Sequence, residues 1–288
     1  MKDFPSVPRA DDAPPDLFER GHLWIQEQPD GAPLRFQLRE SGLIRFGDRT
    51  RVFRDDVPEA YRHAVRHVRE RLDRTALREA VGDPESVVFF GAAMHKRTID
   101  YDWDRTPSVL GFDVWSASRG AFLPPDSVEK IYRRLDLDPV HAFEKEVRAV
   151  DFDPEEYEIP ESNWYDGPAA GVVVRNKTGD RAEISHSRLE QTEGSETPDS
   201  SADAALPSAA SAEDLAEQYA TDRRFEKIAS ELRDRDRPVT FDALYERVVD
   251  DIVREQHDRL FDDAADLDFG AFRSEIAART NRFLGEGG

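Results

Sequence analysis

Residues 27–31 read EQPDG, a run in which turn-making residues follow a side chain that the turn does not need. Pro29, Asp30 and Gly31 supply a fixed φ, an Asx-type side chain and a permissive φ in succession, and turn chemistry explains all three. It does not explain Gln28, whose amide nitrogen has a delocalised lone pair and is a poor nucleophile. Elsewhere, His63 and His67 stand four apart, the spacing of a metal clip on one helix face. No third ligand accompanies them, and Arg62, Arg66, Arg69, Arg71 and Arg74 lie around them, so the pair reads as part of a solvated basic face. Such a face holds a phosphate backbone if it lines a cleft. Arg49 and Arg51 form a second basic group, in FGDRTR (46–51). The chain has no cysteine, which excludes disulfides, thiolate metal sites and a thiol nucleophile.

These residues need strands and one helix to hold them. Strand-like runs occur at 23–28, 34–38, 42–46, 86–93, 108–115, 171–176 and 182–185. Several are joined by short turns, NKTGD (176–180) among them, which favours antiparallel pairing. A long amphipathic helix is expected over about 58–81, with Tyr61, Ala64, Val65, Val68 and Leu72 on one stripe, and further helical segments near 127–135 and 141–147. The fold class is therefore α+β. Residues 190–210, rich in Ser, Ala, Pro and acid, read as a flexible acidic linker. Beyond them the texture is helical. Ser211 with Asp214 signals an N-cap, Leu215, Tyr219, Phe225, Ile228, Ala229 and Leu232 make a stripe, and Pro238 ends it. Thr240 caps another helix reaching about Leu260, and a last one opens near Gly270. The expected layout is a domain at 1–189, the linker at 190–210 and a helical domain at 211–288.

Composition narrows the setting. The chain has 288 residues, 38% of them hydrophobic, enough for a substantial core. No run approaches the roughly 18 apolar residues of a membrane span and no signal-like segment opens the sequence, so a soluble, cytoplasmic protein without a membrane partner is expected. The formal net charge is −21, and of 40 basic residues all but Lys2, Lys96, Lys130, Lys145, Lys177 and Lys227 are arginine. An acidic, lysine-poor surface suits a cytosol at very high salt, where charge repulsion is screened within roughly 3 Å at 1 M. Any polyanion bound in such a setting is held by specific arginine contacts rather than by long-range attraction.

Six stretches in order resemble the ATP-dependent RNA ligase family, a branch of the covalent nucleotidyltransferases. EQPDG (27–31) stands in the place of the family's Lys-x-Asp-Gly motif, FGDRTR (46–51) matches its strand-borne Arg segment, and FFGAAMHKRTIDYDWD (89–104) its Gly-Glu strand and the segment after it. GFDVW (111–115) matches the Phe-Asp-Val strand, AAGVVVRN (169–176) the Glu-Gly-Val-Val strand, and RAEIS (181–185) the closing lysine strand. The resemblance covers about residues 4–190. It implies an ATP-grasp-like adenylation domain of antiparallel sheets with flanking helices, followed by a helical domain, with ATP and Mg²⁺ as cofactors and RNA ends as partners. In that family a lysine attacks the ATP α-phosphorus, carboxylates hold ribose and metal, and lysines neutralise the phosphate.

This chain departs from the pattern at the charged positions. Gln28 replaces the nucleophilic lysine, Ala92 and Ala170 replace two glutamates, and Glu183 stands where a phosphate-neutralising lysine is expected. At an effective dielectric near 20, a like charge about 4 Å away costs on the order of 4 kcal/mol, where a lysine would have gained a similar amount. Lys96 and Lys177 do not project from the position of Gln28. No resident metal site is expected from the chain's own residues. The frame persists: Asp30 and Gly31 keep the turn, Arg49 matches an arginine that contacts nucleotide or end-phosphate, and Phe112 matches an aromatic of the adenine pocket, although plain core packing also accounts for Phe112 and the valines at 172–174. Pro33 replaces a polar group that reaches the ribose. The sequence thus points to an RNA-ligase-like protein unable to charge itself with AMP. A non-catalytic RNA-end or ribonucleoprotein-binding module and an enzyme sealing only pre-adenylylated RNA are the alternatives.

Overall fold

The computed structural model describes residues 1–54, 56–185, 211–263 and 267–286. The linker expected at 190–210 lies outside the described residues. The described residues fall into two compact units, one drawn from 1–57, 64–94 and 98–185, the other from 58–63, 95–97 and 211–286.

The first unit carries two antiparallel sheets. One has the strand order β7-β1-β8-β9, with β1 at His22–Gln28, β7 at Ala142–Arg148, β8 at Gly171–Arg175 and β9 at Arg181–Ser185. The other runs β3-β2-β4-β5-β6, with β2 at Ala32–Leu38, β3 at Ile44–Gly47, β4 at Val87–Ala93, β5 at Val109–Ser116 and β6 at Ala121–Phe122. Alternation explains both. Leu23 and Ile25 of β1 join Val172 and Val174 of β8 and Ala182 of β9 in one apolar layer, while Gln26 and Gln28 face the other way, beside Val173 and Gly171. On the second sheet Leu34, Phe36 and Leu38 are fully buried, and Phe36 stacks on Phe89 with ring centroids 4.9 Å apart.

Helix α4 (Pro125–Arg134, after the short helix α1 at Asp16–Glu19, α2 at Glu59–Arg71 and α3 at Arg74–Ala80) locks onto that sheet through one tyrosine. The Tyr132 hydroxyl donates to the Phe90 carbonyl at 2.8 Å, and its ring fills the space a Cβ would take at Gly111, 1.9 Å from Tyr132 Cε1.

Two expectations for residues 58–147 are corrected. The helix expected over 58–81 is two helices, because Asp73 leaves helical geometry, donates its N–H to the Leu135 carbonyl and caps α3 by accepting from Ala76. Residues 141–147 are not helical. They belong to β7, which pairs with β1 through two bulges, one at Glu146 with φ 60°.

The second unit contains α5 (Ala212–Tyr219), α6 (Asp222–Asp234), α7 (Phe241–Glu255) and α8 (Phe269–Glu286). Ser211 and Asp214 form a complete capping box, and Thr221 and Thr240 cap the next two helices. Thr221 thereby splits the stripe expected to run through one helix, and α7 ends at Glu255 before a single π turn at Asp258–Asp263 rather than reaching Leu260 as an α-helix. Leu215, Phe225, Ile228, Ile252, Phe272 and Ile276 make its core. Among the described residues no helix is long and apolar enough to cross a membrane.

Candidate functional site

Gln28 ends β1 opposite Gly171 of β8, and its side chain lies over that glycine, with Oε1 2.6 Å from where a Cβ would stand. Its Nε2 donates to Glu183 Oε2 at 3.3 Å, so two positions 155 residues apart in sequence meet across the sheet. The Gln28 Oε1 is buried without a hydrogen-bond partner. Neither Gln28 nor Glu183 is an amine nucleophile. Lys177 does not take that role, since it pairs with Glu146 at 2.6 Å and lies beyond Arg175, at the end of β8 remote from Gly171.

The turn after Gln28 is built as a clamp. Asp30 Oδ2 accepts from the backbone N–H groups of Thr98 and Ile99, both at 2.8 Å, and the Asp30 N–H donates to the Tyr101 hydroxyl at 2.9 Å. A Cβ at Gly31 would stand 2.9 Å from the Ala93 carbonyl, so only glycine lets the turn approach β4 so closely. Asp30 and Gly31 therefore hold the frame of the site.

Ala92 and Ala170 lie in one apolar cluster with Met94, Leu110, Phe112 and Trp164. At the two positions where the resemblance implies acids, the chain presents methyl groups packed on aromatic and aliphatic neighbours. Phe112 belongs to the same cluster and also faces Phe4, centroids 6.3 Å apart. Arg49 places its guanidinium over the Phe4 ring at 5.5 Å, whereas Arg51 turns to Asp48 at 3.0 Å.

Sequence reading missed two groups. Glu27 is only 2% exposed; its carboxylate accepts from Ser162 Oγ at 2.5 Å and from the Asn163 N–H at 3.2 Å. Burial pushes its carboxyl above the ordinary range, and the two hydrogen bonds draw it part of the way back. The signal was available in the strand's alternation, because Glu27 shares the inward parity of Leu23 and Ile25. The second group is Asp113, 1% exposed, which takes Arg175 Nη2 at 2.7 Å and also pairs with Arg181. Arg175 Nη1 donates in addition to the Phe112 carbonyl at 2.6 Å. This triad ties β5 to β8 and β9, and so fixes the strand that carries Phe112 relative to the strands that carry Gly171 and Glu183.

The histidine pair is not the solvated face expected. His63 is buried in the second unit, its ring edge-on to His95 at 5.8 Å, and His95 stacks on His257 at 4.1 Å. The neighbouring arginines serve other groups, Arg71 binding Asp136 at 2.8 Å and Arg69 lying over the Phe46 ring. Among the described residues no group of three or more His, Asp or Glu side chains is placed to hold a metal ion.

By sequence, no family model and no curated protein matches this chain. By structure, it is similar to a variant of the Naegleria gruberi RNA ligase with ATP and Mn, at TM-score 0.53 and 15% identity over 66% of this chain and 58% of that one. A second variant of that ligase with ATP and Mn is similar at TM-score 0.51 and 16% identity, over 67% of this chain and 60% of that one. An archaeal ATP-dependent RNA ligase matches 97% of this chain and 63% of its own length, at TM-score 0.48 and 14% identity. The chain thus spans less than two thirds of the length of these structures. The Naegleria likenesses show the fold, an RNA-ligase-like nucleotidyltransferase fold of α+β class.

Proposed function

We propose that this chain is an RNA-ligase-like protein that does not form a lysine–AMP intermediate and that holds 5′-phosphorylated RNA ends without charging itself. The observation that carries the reading is the Gln28 amide resting on Glu183, an uncharged group against a carboxylate at the two positions where the resemblance implies two lysines. Replacing two cations by an amide and an anion removes the attacking amine and the charge that steadies the α-phosphate together.

Mg²⁺ and the triphosphate, which the resemblance implies, do not fit the residues present. Ala92 and Ala170 offer methyl groups instead of carboxylates, and Glu183 would face the triphosphate with a like charge. The described residues gather no alternative set of metal-binding side chains. What remains suited to a nucleic-acid end is Arg49 beside an aromatic cluster, a cation for a phosphate and flat faces for a base. Residues 211–288 are proposed to form a separate helical domain, and a high-salt cytoplasm is proposed as the working environment.

The test is fluorescence anisotropy in molar KCl with an oligoribonucleotide bearing either a 5′-phosphate or a 5′-hydroxyl. Tighter binding of the phosphorylated form is expected. Arg49→Ala should cut that preference by about tenfold, the worth of one hydrogen bond to a charged group. Equal affinity for the two ends would overturn the RNA-end reading.

A further inference from the structure

The first nine residues do not hang free of the fold. Lys2 places its ammonium over the Trp115 ring at 4.2 Å, and Phe4 sets its ring edge-on to Phe90 at 5.0 Å. Pro8 accepts from the Glu183 N–H at 2.9 Å, and Arg9 forms a parallel bridge with Glu183. The segment therefore runs from the face of β4 and β5 to the free edge of β9 and touches two of the site residues described above, Phe112 and Glu183.

Arg35 gives this path a chemical meaning. Its side chain is 3% exposed on β2, yet its ion-pair partner, Asp3, is 89% exposed. The hydrogen bonds of its guanidinium go to Asp3 Oδ1 at 2.8 Å and the Lys2 carbonyl at 2.7 Å, both on the segment, and its Nε is buried with no acceptor. A buried cation kept only to fasten a surface segment is a poor structural choice, since burying a guanidinium costs more than an aliphatic side chain at that place. Arg35, with its Nε left without an acceptor, stands opposite Phe90 in the β2–β4 pairing, and Arg49 lies over the Phe4 ring, which itself meets Phe90 and Phe112. Against them the segment offers an acid, Asp3, and next to it a flat ring, Phe4. A phosphate followed by a base has the same two chemical features in the same order.

We infer that Arg35, Arg49, Phe90 and Phe112 form a subsite for the 5′-terminal nucleotide of an RNA, and that residues 2–9 are a strap filling it, with Asp3 in the place of the phosphate and Phe4 in the place of the base. The inference rests on the RNA-end reading above and adds its regulation: an end binds only when the strap leaves, so affinity is reduced by the fraction of time the strap is closed. Release of the strap also frees the backbone edge of β9 at Glu183.

The experiment compares the unaltered chain with Phe4→Ala and with the double variant Asp3→Ala/Phe4→Ala, using a 5′-phosphorylated oligoribonucleotide. Hydrogen exchange of residues 2–9 in the unaltered chain is followed with and without the same RNA. The expected result is about tenfold tighter binding by the double variant, a smaller gain for Phe4→Ala, and faster exchange of the segment when RNA is added. Equal affinities with unchanged exchange would overturn the strap while leaving RNA-end binding intact. Absence of binding by all three chains would overturn both, because an opened cleft would then hold no end at all.

Discussion

Asp113→Asn removes one charge and almost no volume, and its cost follows from what Asp113 holds. The carboxylate is buried with Arg175 and Arg181, so the substitution leaves two guanidinium groups in a dry pocket with no anion between them. Burial already pulls the Arg175 guanidinium below its ordinary range, and Asp113 is the group that opposes this. Removing one partner of a buried pair costs about 3–5 kcal/mol, and the Arg175 bond to the Phe112 carbonyl does not replace a charge. The assay is urea unfolding in molar KCl followed by tryptophan fluorescence, with Trp115 two residues away on the same strand. A surface pair would be worth about 0–1 kcal/mol and would be screened in that salt. A loss of about 3 kcal/mol or more is expected, partly recovered when Arg181→Gln is added. A loss below about 1 kcal/mol, or no recovery in the double variant, would refute the view that a buried charge balance joins the two sheets.

Gly111→Ala should destabilise by about 3 kcal/mol or more in the same assay, because its Cβ would meet the Tyr132 ring at 1.9 Å, in a core that has no slack. Glu27 has a folded-state carboxyl raised above its ordinary 4.5 by burial, so its ionisation opposes folding. The stability of the unaltered chain minus that of Glu27→Gln should therefore decline as pH rises from 4.5 through the folded value, and a flat difference would contradict it. His95 is held neutral, pushed down from 6.5 to about 3 by burial first and then by His257, Arg97 and Arg254. Its contribution is present above pH 6.5 and lost as pH falls toward 3, with a slope of at most about 1.4 kcal/mol per pH unit, and His95→Gln should flatten that slope in acid-unfolding curves.

Much of the fold was legible because its signals are local. All seven expected strand runs contain strands, since alternation such as Leu34, Phe36, Leu38 has one face to bury. Residues 141–147 misled because Phe143 and Val147 are four apart, a spacing that suits a helix and the period of a strand equally. Pairing with β1, a long-range contact, decides between them. The helix over 58–81 broke at Asp73, a capping residue inside an otherwise helical stripe. At the site, Gln28 and Glu183 could be marked separately from the motifs, but their contact comes from the β1-β8-β9 order, which local pattern does not encode. The same holds for Asp113 with its two arginines and for the path of residues 2–9, whose partners all lie far along the chain.

The proposal that the chain does not adenylylate itself is tested most directly by incubating it with α-labelled ATP and Mg²⁺ in molar KCl and measuring label fixed to protein. Beside it runs a variant carrying Gln28→Lys, Ala92→Glu, Ala170→Glu and Glu183→Lys. Label on the variant alone is the expected result, and would place the missing chemistry at these four positions of an intact ligase fold. Label on the unaltered chain would contradict it, because an amine other than one at position 28 would then be attacking the α-phosphorus.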